Sequence, residues 1–134
     1  MKIFTPLRIQ MTGISAKLIL YTGAIMWSLF LMLPGHMLHR PFYHWMFTLA
    51  DEHLWATCFA VYGLFGFFRL SGDTKIPVWL ALLHNSLGVT LWCGSTSLCA
   101  FSVWPPGGAM VGNFVFAVTS IVLLVATPFE KVRD

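Results

Sequence analysis

Five histidines, three cysteines and five acidic residues are the side chains through which this chain would do chemistry. His36, His39, His44 and His53 crowd one stretch, and His84 stands alone further on. Haem ligation in a helical bundle needs two histidines facing each other at one depth. His84 lacks such a counterpart on another apolar run, and the other four histidines share one region. The pair His36-Xaa-Xaa-His39, with Glu52 not far along the chain, has a spacing that can hold zinc at an interface. Beside Pro34-Gly35, such a pair more often belongs to an exposed loop. Glu52 is a candidate proton carrier, but no second acid lies along the apolar runs to relay the proton. Cys58, Cys93 and Cys99 sit inside apolar stretches without metal-type spacing and read as small core residues. There is no nucleophile motif, phosphate-binding loop or Glu-Xaa-Xaa-His pair. These residues point away from an enzyme, and no catalytic residue, cofactor or metal ion is expected.

Composition says what must position them. The hydrophobic share is 57% and the charged share 10%, against roughly 45–50% and about 25% in soluble domains. A soluble fold of 134 residues could not hide that much apolar surface. A bilayer can cover it, so an all-α integral membrane protein in one domain, 1–134, is expected, with lipid as its first partner. The net charge of +3 comes without a basic run, which argues against nucleic acid as a partner.

Four spans follow from the apolar runs. The first covers 17–34, from the Lys17 anchor to the Pro34-Gly35 stop, near the short end of the roughly 17–25 residues that cross a bilayer. Before it, Pro6 and Gly13 are expected to break any long helix. Residues 1–16 are then either a short amphipathic piece along the interface or a frayed tail, and Leu33-Pro34-Gly35-His36 is not a small-residue cleavage site. The segment 36–50 carries Phe42, Tyr43, Trp45 and Phe47, rings that belong at headgroup level. It either lies flat on the outer surface or continues into the second span. That span, 51–70, has Asp51 and Glu52 in its first turn and Arg69 in its last, in accord with the helix dipole. Ala56, Ala60, Gly63 and Gly66 form one small-residue stripe along it, which lets another helix approach closely. The third span covers 77–104 and the fourth 109–127, with Trp104-Pro105-Pro106-Gly107-Gly108 as a turn between them.

Lysine and arginine set the orientation. Lys2, Arg8, Lys17, Arg69, Lys75, Lys131 and Arg133 fall on one side of a four-span map, and Arg40 alone on the other. The positive-inside rule puts both termini in the cytoplasm, so the expected fold is a membrane four-helix bundle with a short aromatic interfacial segment before the second span. Glu52, His53 and Trp55 then share the outer half with Ser95, Thr96 and Ser97 of the third span and Asn113 of the fourth. They are expected to converge as a structural polar cluster, with Glu52 accepting hydrogen bonds from the polar outer ends of the third or fourth span and from Trp55 or the first-turn amides. His84, Asn85 and Ser86 lie about two turns in from the cytoplasmic end, by the 1.5 Å rise per residue, too far away to reach Glu52.

The runs Leu49-Ala50-Asp51-Glu52-His53-Leu54-Trp55 and Gly66-Phe67-Phe68-Arg69-Leu70 resemble a pattern in small holin-like membrane proteins of tailed phages. In that pattern an aromatic loop precedes Ala-acid-Glu-Xaa-Xaa-Trp-Gly, and an apolar stretch ends in Gly-Xaa-Xaa-Arg-Leu; here Ala56 replaces the Gly. The likeness covers about a quarter of the chain, and the family lends no settled activity. It implies an oligomer in the host's inner membrane, acting in lysis, pore formation or superinfection exclusion. From the residues alone, a non-catalytic accessory subunit of a larger membrane complex fits equally well.

Overall fold

A computed structural model of the chain describes residues 4–33, 44–71, 76–102 and 108–130, and the surroundings of side chains within 14–33, 45–71, 76–100 and 111–127. The described residues are all-helical, in five elements. These are α1 (Phe4–Met32), α2 (His44–Leu49), α3 (Glu52–Ser71), α4 (Val78–Ser102) and α5 (Gly108–Glu130). Two stretches, Ile14–Met32 and Glu52–Ser71, are long and apolar enough to cross a membrane, and Val111–Thr127 is a shorter apolar helix.

The expected helix break before residue 17 does not occur. Helix α1 starts at Phe4 and runs unbroken through Gly13. Pro6 falls in its first turn, where the missing N–H has no helical acceptor anyway, and one interior glycine costs only about 1 kcal/mol. At the other end, α5 continues through Pro128 to Glu130, three residues past the expected stop at 127. Residues 34–43, 72–75, 103–107 and 131–134 lie outside the described residues, and with them His36, His39, Arg40 and the Trp104–Gly107 turn.

The aromatic segment 36–50 does not run into the second span as one helix. Its described part, α2, is a separate turn of helix packed on α4. Met46 is fully buried while Trp45 and Leu49 face outward. The corner between α2 and α3 is tied at one carbonyl. Met46 O accepts from the Ala50 N–H at 3.3 Å and from the Trp55 indole Nε1–H at 2.9 Å. Helix α3 then starts on the Asp51 carbonyl, which accepts from Leu54 N and Trp55 N.

The four long helices alternate in direction and pack in two close pairs, α1 with α3 and α4 with α5. In the first pair the glycines let backbones approach. A Cβ at Gly63 would lie 2.7 Å from Ile25 Cγ1 and 3.0 Å from the Tyr21 carbonyl oxygen, and one at Gly66 would run into the Tyr21 ring. Ala56 is fully buried in the same stripe and Ala60 half-buried. Phe59 of α3 bridges the two pairs by meeting Trp92 edge-on at 4.9 Å, and within the second pair Trp92 stacks on Phe116 at 4.6 Å.

The outer surface is strongly apolar, and several polar side chains are buried within a largely apolar core. His84, Asn85, Ser95, Asn113 and Ser120 are each 5% exposed or less, whereas Leu64, Trp79 and Val125 are each more than 60% exposed. Glycine tests the packing directly. Gly63→Leu should lower stability by about 1–3 kcal/mol, as overpacking does. Gly112→Ala has open space for the new methyl and should be neutral or gain up to about 1 kcal/mol of helix propensity. Thermal unfolding of both variants in detergent reads the difference; equal midpoints would mean the α1–α3 contact is not close.

Candidate functional site

Arg69, in the last turn of α3, reaches across to the beginning of α4. Its Nη1 lies 2.8 Å from His84 Nδ1 and 3.2 Å from Asn85 Oδ1. An arginine only donates, so both neighbours must accept. That fixes both the imidazole tautomer and the orientation of the amide. His84 is neutral, with Nδ1 bare and its proton on Nε2, and Nε2–H donates to the Tyr62 carbonyl at 2.8 Å. Asn85 presents its oxygen to Arg69, so its amide nitrogen faces the other way and donates to Thr127 Oγ1 at 2.5 Å. The Thr127 hydroxyl in turn donates a hydrogen bond to the Leu123 carbonyl at 2.7 Å. Two directed chains of hydrogen bonds thus leave one guanidinium nitrogen and join α3, α4 and α5.

Aromatic rings wall the histidine in. Tyr62 stacks on it at 4.6 Å, Phe65 meets it edge-on at 5.0 Å, and Tyr21 of α1 closes in at 5.6 Å. Gly88, one turn after His84, makes room for this, since a Cβ there would sit 2.6 Å from Tyr62 Cζ. Both ring nitrogens of His84 are committed, so neither offers a lone pair to a metal. Among the described residues no group of three or more His, Cys, Asp or Glu could hold a metal ion, and Cys58, Cys93 and Cys99 are free thiols.

The residues expected to gather around Glu52 go elsewhere. Trp55 donates to Met46 O instead. Ser95 and Thr96 donate to the Trp92 carbonyl of their own helix, at 3.2 and 2.6 Å. Ser97, like His53, is exposed, and Glu52 is half-buried at the head of α3. Among the described residues no hydrogen bond joins Glu52 to α4 or α5. The physical reason is that a hydroxyl on a helix finds its own carbonyl one turn back more cheaply than a carboxylate on another helix. Asn113 is buried, and its Nδ2, like Trp92 Nε1, has no hydrogen-bond partner among the described residues.

Arg69, Thr127, Gly88, Tyr21 and Tyr62 were not singled out as partners of His84 from the sequence. The signal was present: Arg69 ends the second span just before the polar Ser71–Pro77 turn and His84 stands about two turns after it, so a long side chain that points back along the hairpin can meet the histidine.

Thr127→Val removes the acceptor for the buried Asn85 amide and should cost about 1–3 kcal/mol. The same change in an Asn85→Leu background should cost clearly less, because no donor remains to be orphaned. A double-mutant cycle by thermal unfolding in detergent checks this, and additive effects would deny the bond. Comparison with known protein families, with curated proteins and with solved structures finds no match to this chain.

Proposed function

We propose that the chain is a small phage-type integral membrane protein, a four-span bundle with both termini in the cytoplasm. It acts as an oligomer in the bacterial inner membrane, in lysis or pore formation or in superinfection exclusion, and not as an enzyme. The observation that carries the membrane part of this reading is the strongly apolar outer surface, around a core that buries His84, Asn85 and Asn113 among apolar side chains. Its hydroxyls support it as well. Thr57, Thr90, Thr96, Thr119 and Thr127 each donate to the carbonyl one turn back on their own helix, which satisfies them without water, as a hydrocarbon surrounding requires. Helix α4 then serves as the third span despite its lower hydropathy, because His84 and Asn85 face inward.

Oligomer formation is supported by the outward face of α5. Val111, Val115, Val118, Val122 and Val125 recur at alternating four- and three-residue spacing and are all exposed. That is the repeat of a helix-pairing seam with stiff β-branched side chains, which lose little freedom on contact.

Two measurements test the proposal. In intact cells, a cysteine placed at Gly107 should react with an impermeant reagent added outside, and one at Thr74 should not; labelling at Thr74 would sink the four-span map. The purified chain should run as a homo-oligomer that Val115→Trp with Val122→Trp disrupts while the midpoint of unfolding stays put. A protein stable only with another membrane protein would instead be an accessory subunit.

A further inference from the structure

From the bonding of Arg69 we infer a binding site for a phosphate group at the α3–α4 end of the bundle, filled by the headgroup of an acidic phospholipid. The inference rests on the membrane reading above. A guanidinium has five N–H donors in a fixed planar fork. Two of them, on Nη1, are spent on His84 and Asn85, both buried and both uncharged. The remaining three, Nε–H and the two on Nη2, make no hydrogen bond to a described residue. Nε–H and one Nη2–H point the same way and form the side-on edge that takes two oxygens of one anion. Arg69 is half-buried, with Nη1 turned inward onto α4, so the plane of the fork is held before any ligand arrives.

Among the described residues no carboxylate pairs with Arg69, and its two protein acceptors are neutral. A cation near hydrocarbon is expensive unless something negative meets it. The C-terminal carbonyls of α3 contribute only part of that, about half an elementary charge at a helix end. Depth favours a lipid over a solute. Arg69 stands within one turn of the end of α3, at the end of the hairpin where Trp79, 65% exposed in the first turn of α4, presents an indole outward. Exposed tryptophan marks the headgroup level, and the exposed Phe68 beside Arg69 offers acyl chains an apolar wall. A phosphodiester at that level presents two unesterified oxygens that share one negative charge, which matches the open edge in number and sign.

The test uses the purified full chain in a zwitterionic detergent, with thermal unfolding followed on adding phosphatidylglycerol, phosphatidylcholine or inorganic phosphate. Phosphatidylglycerol should raise the midpoint by several degrees and phosphatidylcholine by much less. A matching rise with inorganic phosphate alone keeps the site and assigns it to a soluble anion. Arg69→Lys retains the charge without the fork and should lose most of the phosphatidylglycerol shift, whereas Lys75→Gln should keep it. Equal shifts with the two lipids in the wild type overturn the inference whatever the variants do. So does a full shift in Arg69→Lys, or a shift abolished by Lys75→Gln, which would place binding in the loop. If Arg69→Lys does not fold, the wild-type lipid comparison and Lys75→Gln still decide. A chain that stays soluble without detergent would defeat the membrane reading itself, and that outcome is seen before any lipid is added.

Discussion

One arginine nitrogen that can only donate sets the direction of every hydrogen bond at the meeting of α3, α4 and α5. From Arg69 Nη1 the order runs through His84 to the Tyr62 carbonyl, and through Asn85 and Thr127 to the Leu123 carbonyl. After Arg69, His84, Asn85 and Thr127 each accept one hydrogen bond and donate one. Such a network is costly to leave incomplete, because every buried orphan forfeits its own solvation. It therefore favours one register of α4 against α3 and α5. A slide by one helical turn would strand His84 and Asn85 together.

The same register is imposed a second time by shape. Gly63 and Gly66 admit the backbone and ring of Tyr21, and Gly88 admits the ring of Tyr62. Those two tyrosines meet edge-on at 5.6 Å and both contact His84. The close α1–α3 contact therefore positions the rings that wall the polar network, and the network holds α4 where Gly88 faces Tyr62. Local choices agree at both levels, as expected of a sequence that specifies one packing.

Much of this was legible in the residues, though unevenly. The helices were legible because apolar length and Pro-Gly stops act locally, and the small-residue stripe because helical periodicity is fixed. Pro6 and Gly13 misled, since a first-turn proline costs nothing and a single glycine does not outweigh a long apolar helix. The polar residues misled in a more instructive way. Position along the helices separates them into two groups, and Glu52, the most expensive side chain, drew attention away from the one around His84. Ser95, Thr96 and Trp55 had cheaper acceptors within reach, which a count by depth does not register. The network formed where a cation capable of several donations faced an amide and an imidazole, groups that cannot satisfy themselves on their own helix.

The interior bears on how such a protein would act. Phe59, Trp92 and Phe116 stack through the middle of the bundle, and His84 is enclosed by Tyr21, Tyr62 and Phe65. The directed bonds that begin at Arg69 end on the backbone carbonyls of Tyr62 and Leu123, where no proton is left to pass on. A line of polar groups that ends on its own backbone is a clasp and not a conduit. On the membrane reading proposed above, a passage between copies, along outward faces such as the valine seam of α5, fits this interior better than one through a single copy.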